Sequence, residues 1–136
     1  MARTGKYYDV KVKKAHLGWG TYRHTSSRKR RKGEAYIKIP AKYARSLQLL
    51  NQNGTGHQDI PGKNIFNCTS KDNTYSGILK AQGCKARGDK YAKQFSEKEN
   101  LKGLGKWYKA MNASVGDIVR VTFISETDVC IELLKK

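Results

Sequence analysis

The sequence predicts a compact β-rich barrel whose ends are covered by short helices. Its strongest apolar segments alternate with period two, as half-buried strands require. Helical spacing of apolar residues is confined to two short stretches. No GxGxxG fingerprint or Gly-rich phosphate loop precedes a long helix, which argues against a doubly wound enzyme. A helix-turn-helix protein would need mostly helices and fits poorly.

The elements follow in chain order. From Tyr8 onward, alternation puts Val10 and Val12 on one face of a first strand and Asp9, Lys11 and Lys13 on the other. Gly18-Trp19-Gly20 is a turn around an aromatic ring. Residues 23–32 hold six Lys or Arg in ten positions and no apolar side chain, so nothing there can join a core. Ala35, Ile37 and Ile39 point inward on a second strand, with Tyr36 and Lys38 outward. Pro40 can open a helix, where its missing N–H costs nothing. That helix is predicted over Ala41–Leu50, with Tyr43, Ala44, Leu47 and Leu50 on its apolar stripe and Lys42, Arg45 and Gln48 outward. Residues 51–57 are breaker-rich and read as a loop. Asn64–Cys68 and Thr74–Lys80 are short strands around a Lys71-Asp72-Asn73 turn. Residues 81–102 are basic and polar, anchored by Tyr91, Phe95 and Leu101, and show no clear period. A second short helix runs Leu104–Met111, burying Leu104, Trp107, Tyr108 and Met111. After a Ser114–Asp117 turn, Ile118–Phe123 and Val129–Leu134 form a closing hairpin. The core is expected to contain Ile37, Ile39, Leu47, Trp107, Val119, Val121 and Ile131.

Composition sets the partner. The chain has 28 Lys and Arg against 11 Asp and Glu, a net charge of +17 in 136 residues. A small domain stays soluble at a charge of roughly 2 to 8, and the excess repels itself in the folded state. A polyanion whose phosphates neutralise it and release counterions is the physical use that fits. With 38% hydrophobic residues the chain is no disordered tail. A single domain over residues 1–136 is expected, carrying a basic arm at 23–33. No apolar run approaches the roughly 20 residues that span a bilayer, and no membrane partner is expected. No apolar leader follows Met1. Cys68, Cys84 and Cys130 are an odd set at wide spacings, which points to a reducing compartment: cytoplasmic, nucleoid-associated, or nuclear in a eukaryote. Cys130, between Val129 and Ile131, is expected to be a buried small hydrophobe.

Two segments carry a family resemblance. Gly105-Lys106-Trp107-Tyr108-Lys109-Ala110-Met111-Asn112-Ala113-Ser114-Val115-Gly116-Asp117-Ile118-Val119-Arg120-Val121 resembles the closing segment of plant B3 DNA-binding domains, in which a tryptophan-led helix precedes a Gly-Asp turn and a strand. Arg31–Ala44, with its Ile39-Pro40 strand end leading into a helix, is similar to the first half of the same fold. The specificity domains of some bacterial restriction endonucleases, which this sequence also resembles, share that pseudobarrel. Residues 51–62 are longer and richer in Gly and Asn than the resemblance needs, and the basic run before Gly33 is unusually dense.

The resemblance implies a mainly β (α+β), seven-stranded open pseudobarrel with two short helices. It also implies two arms that enter the major groove of double-stranded DNA. By position the first arm maps to about His24–Glu34 and the second falls within Gln82–Lys98. Both intervals are basic and poor in apolar residues. The expected DNA-binding residues are Arg23, Arg28, Lys29, Arg30, Arg31 and Lys32 on the first arm, and Lys85, Arg87, Lys90 and Lys93 on the second. Arg suits bidentate contact with guanine, while Lys and hydroxyls suit phosphates, so Lys13, Lys14, Ser26 and Ser27 are candidate backbone contacts.

No catalysis, cofactor or metal is expected. His16, His24 and His57 lack ligand spacing, and a His57–Asp59 pair is the sort that Gly-rich loops often produce. Glu126 and Asp128 sit in a turn, where a solvated cap is usual. Ser26 and Ser27 have no base nearby in sequence. Trp107 has helical spacing that favours the core, while Trp19 could stack on a base. The rival readings are an RNA-binding or ribosome-associated basic barrel and, less favoured, a small nuclease, which would need a carboxylate cluster.

Overall fold

Alternation in the sequence becomes alternation in space. The structure is a computed structural model and describes residues 3–13, 35–56, 58–83, 90–98 and 103–135. Its strands are β1 (Tyr7–Lys11), β2 (Ile37–Lys38), β3 (Ile65–Ser70), β4 (Ser76–Gln82), β5 (Gln94–Glu97), β6 (Ile118–Phe123) and β7 (Asp128–Leu134). The helices are α1 (Ala41–Ser46) and α2 (Gly103–Ala110). One sheet holds all seven strands in the order β1-β6-β7-β3-β4-β5-β2, curled into a nearly closed pseudobarrel. The β3–β7 pair is parallel, with Cys68 opposite Val129, and the other pairs are antiparallel.

The two edge strands, β1 and β2, meet through side chains. The Tyr8 hydroxyl donates to the Lys38 carbonyl at 3.1 Å, and the Tyr8 ring stacks on Tyr43 at 5.4 Å between centroids. Inside the barrel Phe66 packs edge-on against Phe95 at 5.6 Å and Phe123 at 5.8 Å. Ile37, Ile39, Leu47, Trp107, Val119, Val121 and Ile131 are each 3% exposed or less and belong to one cluster, as expected. Burying each such side chain contributes about 1.5–3 kcal/mol, which is what holds short strands together.

Arg3 closes one end of this core. Its guanidinium donates to the carbonyls of Leu47, Gln48, Gly62 and Glu126 at 2.6–3.1 Å. It also lies over the rings of Phe66 and Phe123. The Arg3 main-chain N–H donates to the Glu126 carboxylate at 2.8 Å, and that bond holds the carboxyl below its ordinary range. Glu126 is therefore an anchor for the N-terminal segment as well as a turn residue.

Four expectations are corrected by the fold. First, α1 stops at Ser46, because Gln48 adopts a left-handed φ of +55° and its side chain donates to the Arg45 carbonyl. The reversal turns Leu49 fully inward and leaves Leu50 half-buried. Pro40 sits just before the helix, as its N-cap. Second, residues 51–57 contain a short 3-10 turn at Gln52–Thr55. Third, strict alternation in β7 buries Val129, Ile131 and Leu133, so Cys130 faces outward and is half-buried. Of the two described cysteines Cys68 is the buried one, and burial pushes its thiol pKa well up, away from reactive thiolate. Fourth, the stretch without a clear period contains β5, whose Phe95 and Ser96 are both buried.

α2 is seated by glycine and a hydrogen bond. The Tyr75 hydroxyl donates to Glu97 at 2.6 Å. A Cβ at Gly103 would fall 2.1 Å from that carboxylate, and one at Gly77 would fall 2.7 Å from the Tyr75 hydroxyl. Among the described residues, no helix is long and apolar enough to cross a membrane.

Candidate nucleic-acid interface

The two basic segments are the β1–β2 and β4–β5 connections, and they rejoin the sheet in adjacent strands. β2 pairs with β5 through Ile37–Phe95 and Lys38–Gln94. The first connection therefore runs into one strand of this pair and the second into the other, from opposite ends because the pair is antiparallel. The distance from Ala35 to Ile39 is four strand steps, roughly 13 Å at 3.3 Å per residue.

Each root is fixed by backbone bonds. Where the first connection leaves β1, the Val12 N–H donates to the Asp117 carbonyl at 2.7 Å and Gly116 donates back to Val12 at 2.9 Å. Where it returns, Ala35 is buried and the Tyr36 carbonyl accepts the Tyr108 hydroxyl of α2 at 3.0 Å. At the second connection, Lys93 donates to the Gln82 carbonyl at 2.7 Å and accepts from Ile39 at 2.9 Å. The chain after α1 grips the same segment. Ala92 donates to Leu49, Asn51 donates to the Lys90 carbonyl, and the Asn51 amide side chain donates to the Tyr91 carbonyl. A Cβ at Gly54 or Gly83 would press into this junction at 3.0–3.1 Å.

Of the expected DNA-binding residues, the structure describes Lys13, Lys90 and Lys93. All three are exposed, Lys13 at the root of the first connection and Lys90 and Lys93 at the root of the second. Lys14, Arg23, Ser26, Ser27, Arg28, Lys29, Arg30, Arg31, Lys32, Lys85 and Arg87 lie outside the described residues, as do Trp19, His16, His24 and His57. The second interval is narrower than Gln82–Lys98. β5 takes residues 94–97 into the sheet, and the Lys98 N–H is bonded to Ile78, so the connection is 83–93. Trp107 lies in the core at 2% exposure, as its helical spacing predicts.

Charge pairing differs around the barrel, although Asp59 also pairs with Lys80 of β4 and with Lys98 after β5, at 3.1 and 3.7 Å. On the β1–β6–β7 side, Arg120 forks onto Asp9 at 2.8 and 3.0 Å, and this bond raises its pKa. Lys71 reaches Glu132 at 3.5 Å and Lys135 reaches Asp117 at 3.1 Å. Asp128 accepts from Asn67 and Ser125, and those bonds hold its carboxyl low. By contrast, residues 35–58 contain no Asp or Glu but carry Lys38, Lys42 and Arg45. Arg120 also lies over a ring, that of Tyr7 at 4.5 Å, but Asp9 holds it as well; on the acid-free side, among the described residues, the cations rest on rings with no carboxylate beside them. Lys42 lies over Tyr43 at 4.9 Å, while Arg45 and Lys90 lie over Tyr91 at 5.8 and 5.3 Å. Helical spacing places Lys42 and Arg45 on the outward face but gives them no role. The acid-free run was the available signal.

Among the described residues, no group of three His, Cys, Asp or Glu side chains is placed to hold a metal ion. The fold and its two basic connections define the class, a seven-stranded pseudobarrel with long loops rooted on one strand pair. No protein-family model matches the sequence, and no curated protein does. Among solved structures, the fold is similar to the N-terminal domain of Helicobacter pylori LlaJI.R1. The TM-score is 0.51 at 10% sequence identity, and the match covers 94% of this chain and 79% of that one. At that identity the likeness is one of fold.

Proposed function

We propose that this protein reads double-stranded DNA through two basic arms in the major groove, residues 24–34 and 83–93, without catalysing a reaction on it. The observation that carries the reading is the common root. The two most basic, apolar-poor segments of the chain rejoin the sheet in neighbouring strands β2 and β5. The spacing between their roots, roughly 13 Å along residues 35–39, compares with a major groove about 12 Å wide. Arg28, Arg30, Arg31 and Arg87 supply forks that suit guanine edges. Arg23, Lys29, Lys32, Lys85, Lys90 and Lys93 complete the arms, and Lys13, Lys14, Ser26 and Ser27 hold the backbone. The resemblance to B3 and restriction-endonuclease specificity domains supports the same mode of binding.

The test is a competition among duplex DNA, single-stranded DNA and RNA at two salt concentrations. Duplex should win, with log K falling against log salt by about 0.9 for each of about five to eight phosphate contacts. Preference for RNA would make the chain an RNA-binding basic barrel instead. A flat salt response would show that the +17 charge does not hold the ligand.

A further inference from the structure

We infer that the surface of α1, with Lys42 and Arg45 beside the arm-root residue Lys90, is a second phosphate-binding surface that extends the duplex footprint beyond the arms. The inference rests on the duplex-binding reading. Its own support is how these cations are held. A carboxylate partner fixes a cation but cancels its field, as Asp9 does for Arg120. An aromatic face attracts a cation through its quadrupole and leaves the net charge intact. Lys42, Arg45 and Lys90 are all exposed, and each lies over a half-buried tyrosine ring. Among the described residues, none of the three has a carboxylate partner within ion-pair distance.

Placement favours a flanking duplex contact. The second arm returns through Lys90–Lys93, whose Lys93 carbonyl accepts from Ile39, and α1 begins two residues later. Arg45 of α1 and Lys90 of the arm root share the Tyr91 ring. A duplex seated on the arm therefore continues over α1. The rings themselves are half-buried under their cations, so the surface presents charge rather than open stacking faces.

The experiment compares the full-length protein with a Lys42→Gln/Arg45→Gln double variant and with an Arg30→Ala/Arg31→Ala variant. Each is titrated with a duplex of about one helical turn (about 10 bp) and with one about twice as long. The α1 variant should match the wild type on the short duplex. On the long one it should bind all base sequences more weakly by the same factor, and its salt slope should shrink by about 0.9 for each phosphate it no longer neutralises. A wild-type slope on both duplexes would overturn the inference while leaving the arm reading intact. The arm reading fails separately if the arm variant keeps the base ranking unchanged. Loss of single-strand or RNA binding alone in the α1 variant would show that the tyrosines stack bases, which also overturns the proposal. Unchanged urea midpoints for the α1 variant are expected, and a lowered midpoint would assign the two cations to folding instead.

Discussion

On the β1–β6–β7 side of the barrel, Arg120 is forked by Asp9 and Lys71 is answered by Glu132. On the β2–β5 side, Lys98 is paired with Asp59, but Lys42, Arg45 and Lys90 meet tyrosine rings, and no acid occurs from residue 35 to residue 58. The two sides are built on the same inward-facing alternation, so the core does not distinguish them. The difference lies in what the outward positions are for. Paired charges neutralise one another and suit a face turned to water, whereas uncancelled charge is costly to collect in one place and needs an external anion to offset it. Under the proposed function, the contrast assigns the polyanion to the β2–β5 side.

The largest effect should come from breaking the paired side at its centre. Ending the chain at Ser125 removes β7, which lies between β6 and β3 in the sheet order and pairs with both. Cooperative unfolding followed by circular dichroism should disappear. A truncated protein that still melts sharply would show that the other strands suffice.

Arg3→Ala comes next. It leaves buried carbonyls without their donor and should cost about 3 kcal/mol in urea unfolding. Arg3→Lys should recover only part, because an ammonium lacks the planar fork that reaches several carbonyls at once.

Binding effects sharpen the comparison from the other side. Arg30→Ala or Arg31→Ala should flatten discrimination at one or two base positions by about 1–3 kcal/mol each. Lys13→Ala or Lys14→Ala should weaken all duplexes alike. Arg120→Gln, on the paired side, should leave affinity and salt slope unchanged. If it shifted the slope as much as an arm variant does, the assignment of faces would be wrong.

The smallest effect is the acid response of the paired side. Asp128 and Glu126 have folded pKa values below their ordinary ones, Asp128 through the Asn67 and Ser125 bonds and Glu126 through the Arg3 main-chain N–H. A depressed carboxylate stabilises the fold above its unfolded pKa, near 4. That stabilisation is lost as pH falls through the folded value. Urea midpoints should therefore drop below about pH 4, and Asp128→Asn should flatten the drop. An unchanged profile in that variant would remove Asp128 as a contributor.

Much of this was legible in the sequence because period-two alternation is local. β6 and β7 each bury their alternate residues, β1 buries Tyr8 and half-buries Val10, and the seven expected core residues all lie in one cluster. β5 was not legible, since Gln94-Phe95-Ser96-Glu97 has one apolar residue and its second buried side chain is a serine. Arg3 was invisible for another reason. Its acceptors at residues 47, 48, 62 and 126 converge only after folding. The end of α1 depended on a left-handed Gln48, a conformation that glycine or asparagine would have announced and glutamine does not. For the interface, the basic arms stood out by composition, whereas the α1 cations needed the Tyr91 ring to connect them to an arm.

The Tyr8–Lys38 bond has a mechanical consequence. β1 and β2 are the two ends of the sheet order, and the first arm is the loop strung between them. Elsewhere in the barrel, a tug on a loop is resisted by a ladder of backbone bonds that must break together. At this junction, the described residues offer one hydroxyl–carbonyl bond and one ring stack. Among the described residues, the arm thus joins the two strands that no backbone ladder pairs with each other. Among the described residues, spreading β1 from β2 breaks that hydrogen bond and that stack, and none of the bonds in the ladders that join β6, β7, β3 and β4. Under the proposed function, that joint is where the barrel would yield to a bound duplex before its ladders do.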